Sequence, residues 1–159
     1  MTSSTLTDDV LLHHLAHQLL HTYARLVDAQ DLDGLATITH PDVVLTRHDG
    51  TREGREAFLD LYRQFAASDV HRSQHMVTNV VATRGADGVV HVASTFLAFT
   101  EHDAGGARLT WGRYDDDMVE HEGRWVFAAK RIRIARTVLV DEAMLAPLTL
   151  DSFGPIARA

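Results

Sequence analysis

The sequence predicts an α+β fold, with helices first and then a long antiparallel meander. Three observations carry this. Apolar residues in the first part of the chain recur at spacings of three and four. The second half consists of four long strand-like runs. Tight turns rich in Asp and Gly separate those runs, as hairpins require. Segregated helices and strands argue for helices packed on one face of a curved, mainly antiparallel sheet.

Each element follows in order. Thr5 to Asp8 fits a capping box, with Asp8 in place of the usual Glu or Gln. A helix is expected from about Asp8 to Ala29, its stripe made by Leu12, Leu15, Leu19, Tyr23 and Leu26. Asp31 can cap a short second helix through Leu32, Leu35 and Ile38, which His40-Pro41 stops. Val43-Val44-Leu45 reads as a short strand, and His48-Asp49-Gly50 as a turn. Gly54 to Ala67 reads as a helix with Phe58, Leu61, Tyr62 and Phe65 on one face. The four long strands are expected over His71–Arg84, Val89–Thr100, Leu109–His121 and Trp125–Val140. The tail from Asp141 to Ala159 holds Pro147, Pro155 and several leucines, and reads as a segment that packs on a neighbouring subunit or covers a pocket mouth.

Composition bounds the function. The chain has 159 residues, enough for one domain with a sizeable core, here about residues 8–140 with a tail over 141–159. Its apolar fraction of 45% and charged fraction of 23% are ordinary for a globular protein. The formal charge of −7 argues against nucleic acid as a partner. The one basic cluster, Lys130, Arg131, Arg133 and Arg136, is too small for a nucleic-acid footprint. With no cysteine, disulfides, thiolate nucleophiles and Cys-ligated zinc are excluded. No apolar run approaches the roughly 20 residues that span a bilayer. The polar, acidic start from Met1 to Asp9 lacks the basic region of a secretory signal, so the cytoplasm is the expected compartment. Phosphate-cradling Gly-rich loops and a Gly-x-Ser-x-Gly elbow are missing, which disfavours nucleotide-driven and covalent serine chemistry.

Candidate chemistry centres on Arg72-Ser73-Gln74-His75-Met76-Val77-Thr78-Asn79-Val80. Alternation puts His71, Ser73, His75, Val77 and Asn79 on one strand face. Position alone favours a core histidine satisfied by its neighbours, whereas a pocket-facing imidazole suits general acid or base work. Asp28 ends the first helix beside an apolar stripe, where desolvation raises a carboxyl pKa; it can equally be a solvated end residue. Tyr23 lies about 140° from Asp28 on an ideal helix, so the two converge only if the helix frays or turns first. In Arg113-Tyr114-Asp115-Asp116-Asp117, Tyr114 and Asp116 share one face, and Tyr114 is the better pocket candidate. His13, His17 and His21 recur at i, i+4 and i+8. Such a stripe can chelate zinc or nickel, but it lacks the glutamate of a metalloprotease motif and would lie on a helix flank. A solvated or subunit-facing stripe is the plainer reading, and no metal is expected.

These elements and motifs together resemble the SnoaL-like, scytalone dehydratase-like branch of the nuclear transport factor 2-like superfamily. The resemblance runs from about Leu11 to Arg136. It rests on Tyr23 through Asp33, Gly54-Arg55-Glu56-Ala57, His75-Met76-Val77-Thr78-Asn79, Gly112 through Asp116, and Gly123-Arg124-Trp125 through Arg131. It implies a cone-shaped α+β barrel with a deep apolar pocket, and cofactor-free dehydratase, isomerase or polyketide cyclase chemistry. Related domains are small subunits of ring-hydroxylating dioxygenases or binding proteins, and Arg136 through Asp141 is similar to the end of those subunits.

Under this resemblance Asp28 matches the acid that ends the first helix, His75 the pocket histidine, and Tyr23 the tyrosine of related bile-acid dehydratases. Thr95 stands where those dehydratases carry a second histidine or an aspartate. Tyr114 stands where the scytalone enzymes carry an asparagine. The implied catalytic set is His75, Asp28, Tyr23 and Tyr114. Substrate contacts are expected from Arg131, Thr95, Asn79, Phe58, Tyr62, Phe96 and Trp111. The implied partners are a small hydrophobic molecule and further copies of the chain, as a homodimer or homotrimer. The competing reading is a non-catalytic binding protein or accessory subunit.

Overall fold

A computed structural model describes residues 3–141 and residue 143, with side chains from Asp8 onward. The order is α1 (Ser3–Asp28), α2 (Leu32–Thr37), β1 (Thr39–Arg47), β2 (Gly50–Glu53), α3 (Arg55–Ala66), β3 (Val70–Arg84), β4 (Val90–His102), β5 (Ala107–His121) and β6 (Arg124–Val140). The expected α+β architecture is present: helices pack on one six-stranded curved sheet. Its strands lie in the order β2-β1-β6-β5-β4-β3, and the sheet does not close on itself. The tail beyond residue 143 lies outside the described residues.

Three local expectations are corrected. Helix α1 begins at Ser3, so the proposed capping box at Thr5 to Asp8 lies inside the helix rather than at its start. Pro41 does not precede the first strand but sits within it. The β1 ladder is irregular between Thr39 and Val44, so the missing proline N–H costs no regular pairing there. Strand β2, with the sequence Gly-Thr-Arg-Glu, is too short and polar to give an alternation signal. The meander is antiparallel, but β1 joins it by pairing parallel to β6.

The concave face is apolar because alternation works. Val90, Val92, Phe96 and Ala98 of β4 are buried, as are Tyr114 and Met118 of β5. From above, α1 adds Leu12, Ala16, Leu19, Leu20 and Tyr23, and α3 adds Phe58, Leu59 and Tyr62. Asp31 caps α2 as expected, its carboxylate accepting from Gly34 N–H at 2.8 Å.

Curvature comes from bulges. The β5–β6 register shifts between Trp111 and Gly112. A side chain at Gly112 would run into the backbone carbonyl of Arg133. Gly112→Ala is therefore expected to destabilise by about 1–3 kcal/mol, because backbone rather than a flexible side chain must move. Urea denaturation checks this.

A second bulge lies in β3 between Thr78 and Val81, where Asn79 adopts φ +54. It reverses the face assignment. Ser73, His75 and Val77 point inward before it, while Val80 and Ala82 do so after it. Asn79 therefore leaves the face it was expected to share with His75.

Candidate functional site

Strand β3 is an edge strand, so one side of it has no sheet partner. Exposed edges are normally covered, and here α1 lies along that side. Its last residue, Asp28, supplies acceptors that the missing strand would have given. One carboxylate oxygen accepts from the His75 backbone N–H at 2.8 Å. The other accepts from Ser73 Oγ at 2.9 Å and meets His75 Nδ1 at 2.6 Å.

This geometry sets the charge of Asp28. Burial by itself would raise the Asp28 carboxyl. The hydrogen bonds from the His75 ring, the His75 backbone and Ser73 outweigh it and hold the group below the ordinary carboxylate range. Asp28 is therefore an ionised acceptor at neutral pH. An ionised carboxylate only accepts, so the hydrogen belongs on Nδ1 and the lone pair on Nε2. The His75 side chain keeps 13% of its surface exposed, which leaves it reachable.

The pair borders a groove of about 590 Å³ between α1 and β3. Its wall includes His21, Ala24 and Arg25 from the helix, Ala29 just after it, and Gln74, Met76 and Val77 from the strand. That volume lies within the range of small-molecule sites. The wall is mostly apolar, with the reactive pair at one side.

The other expected site residues fall elsewhere. Tyr23 and Tyr114 are buried and do not line the groove. Tyr23 Oη and Tyr62 Oη lie 2.8 Å apart in a hydrogen bond, and the Tyr114 ring stacks on Phe96. With Phe58, these aromatic rings fill the core instead of walling a ligand space. The reason is helical geometry: Tyr23 sits on the core side of α1, while Asp28 reaches the β3 edge. Burial raises the Tyr114 phenol well above its usual value, and the charges of Tyr62, Asp116 and Asp28 add to the effect.

Arg131, Thr95, Asn79 and Trp111 also lie away from the groove. Arg131 is on the outer sheet face, bound to Asp117 at 2.7 Å. Thr95 accepts from Asn79 Nδ2 at 3.2 Å, both exposed or partly so at the bulge. Trp111 is 37% exposed on the outer face. Along the helix stripe, His13 bonds the Asp9 carbonyl at 2.9 Å, and the His17 and His21 rings meet edge to face at 5.5 Å. Among the described residues, no three His, Asp or Glu side chains could hold a metal ion together.

Sequence reasoning missed the inward neighbour of Arg131. Lys130 is fully buried and bonds Asp116 at 2.8 Å. Its ammonium lies 3.9 Å from the ring centroids of both Tyr23 and Tyr114. Burial lowers the Lys130 pKa and raises that of Asp116, each opposed by the partner's charge. Two signals were available: Lys130 is the chain's one lysine, and Asp116 shares the strand face of Tyr114. The groove wall also had a signal, since His21, Arg25 and Asp28 recur on one flank of α1.

The SnoaL-like domain family model matches residues 10–131. The chain belongs to the SnoaL-like family. No curated protein matches it by sequence. Among solved structures, this SnoaL-like chain is similar to a hexachlorocyclohexane dehydrochlorinase, LinA-type3, from Novosphingobium barchaimii. The two share 23% identity over 83% of this chain and 92% of that one, with a TM-score of 0.73. A protein provisionally assigned as a scytalone dehydratase from Novosphingobium aromaticivorans gives 20% identity, coverage of 83% and 90%, and a TM-score of 0.75. ActVI-ORFA from Streptomyces coelicolor gives 16%, 82% and 98%, and 0.61. At these identities the likeness shows the shared fold. No described helix of the SnoaL-like chain is long and apolar enough to cross a membrane.

Proposed function

We propose that this SnoaL-like protein is a cofactor-independent lyase or isomerase, a dehydratase, isomerase or cyclase acting on a small hydrophobic substrate. The observation that carries this is the 2.6 Å contact between His75 Nδ1 and Asp28 beside the groove. His75 Nε2 takes a proton from carbon next to an electron-withdrawing group. Asp28 holds the ring in the required tautomer and stabilises the imidazolium that forms. The elimination or isomerisation then completes as that proton is returned to the leaving group or to another carbon. The names of the similar proteins, a dehydrochlorinase and a provisional dehydratase, fit proton abstraction of this kind.

The test is a panel of β-hydroxy ketones and enolisable ketones, followed by loss of water and by hydrogen exchange in D2O. The parent is expected to lose rate on the acid side of its pH–rate profile as the base is protonated, a limb that disappears in His75→Ala, with kcat falling about 10²- to 10⁴-fold. A profile unchanged in His75→Ala would end the proposal.

One observation favours the second reading, a non-catalytic or accessory subunit. Met76, Leu97 and Trp111 are register neighbours on the outer sheet face, and Met76 and Trp111 are exposed. Such a row suits assembly, as a homodimer, a homotrimer or with a larger subunit. A chain that turns over nothing on the panel, yet sediments as a stable assembly, would favour it.

A further inference from the structure

We infer that the groove takes a substrate bearing a carboxylate, which Arg25 binds while the dyad works on the apolar remainder. This rests on the proposed function, because it concerns the same groove. Arg25 stands one helical turn before Asp28, at a spacing where opposite charges on a helix normally meet. Asp28 instead spends its oxygens on Ser73 and on the ring and backbone of His75. Arg25 is left exposed, and among the described residues it forms no ion pair.

Other described arginines of this acidic chain, Arg52, Arg63, Arg72, Arg113, Arg131 and Arg133, are tied to carboxylates. What sets Arg25 apart is its place: it lines the groove that His75 borders. The last turn of a helix favours a cation, so folding accommodates it there. A guanidinium offers two parallel N–H groups that match a carboxylate. Ala24, Ala29 and Val77 supply an apolar wall beside it. A cation at one end, a general base at the side and an apolar wall between them select an amphipathic acid.

The probe pair is 2-naphthoate and its uncharged amide, 2-naphthamide, titrated by calorimetry at low salt. The parent protein is expected to bind the carboxylate about tenfold tighter than the amide. Arg25→Gln should remove that preference and leave amide binding unchanged, while Arg25→Lys should keep part of it. Raising ionic strength from about 0.05 to about 0.5 M should narrow the gap in the parent. Equal binding of the two probes, no binding of either, or a preference that survives Arg25→Gln would overturn the inference. Far-UV circular dichroism of each variant excludes unfolding as the cause. Catalysis is judged separately. Turnover of ketones lost in His75→Ala, together with equal binding of the two probes, would sink this inference and spare the dyad. An Arg25-dependent carboxylate preference with a pH–rate profile unaltered in His75→Ala would do the reverse.

Discussion

Asp28→Asn is expected to lower kcat about 10²- to 10⁴-fold while leaving KM nearly unchanged. Three donors converge on this carboxylate, from Ser73 and from the backbone and ring of His75. An amide has one oxygen to offer and turns N–H groups toward the remaining donors. If its nitrogen faces the ring, Nδ1 must accept, the proton moves to Nε2, and the base is lost. If its nitrogen faces the His75 backbone, that edge N–H loses its partner. Steady-state kinetics on whichever substrate of the panel is active would read the first effect. A kcat equal to the parent's would remove Asp28 from the mechanism.

The same substitution has a pH signature in stability. The folded Asp28 carboxyl is held below its usual value. Its contribution is therefore fully present above the unfolded-state value, about 3.9, and is lost as pH falls through the folded value. Asn does not titrate. The stability gap between parent and variant, expected at about 1–3 kcal/mol near pH 7, should close on acidification. Denaturation curves at neutral and acid pH would show it, and a gap constant with pH would contradict the charge assignment.

Lys130→Met should be the most destabilising single change, at about 3–5 kcal/mol, or roughly 6–20 °C in Tm for a domain of this size. It leaves Asp116 fully buried without its cation. It also removes the ammonium from the faces of Tyr23 and Tyr114. Removing both charges is another matter: an apolar pair of similar volume needs no desolvation. Asp116→Leu with Lys130→Met is thus expected to melt close to the parent or above it. Thermal melts of the single and double variants decide this. If the double variant is as unstable as the single one, cage geometry outweighs charge.

The elements that were legible in the sequence are those where one repeating signal runs long enough. The leucine stripe of α1 and the alternation in β4 and β5 each extend over many residues, and the turns between strands are marked by glycine. What escaped was decided by single residues. Asn79 takes a left-handed conformation and shifts β3 by one, which moves it off the His75 face. The β6 register, offset between Asp117 and Met118, turns Lys130 inward and Arg131 outward. No periodicity announces a one-residue slip, yet it reverses every side chain beyond it.

The candidate site divides in the same way. The residue types of the dyad and the segments that carry them are legible along the chain. Composition excluded thiol chemistry, and hydropathy patterning set the helix-then-strand order. Packing of the layers brings Asp28 and His75 together, because their contact depends on where a helix end falls against a sheet edge. It also decided that Tyr23 does not join them. A helix residue five positions away points elsewhere, and the core claimed that phenol for Tyr62. Local preferences are written in neighbouring residues, whereas pairing across 47 positions depends on how the layers pack.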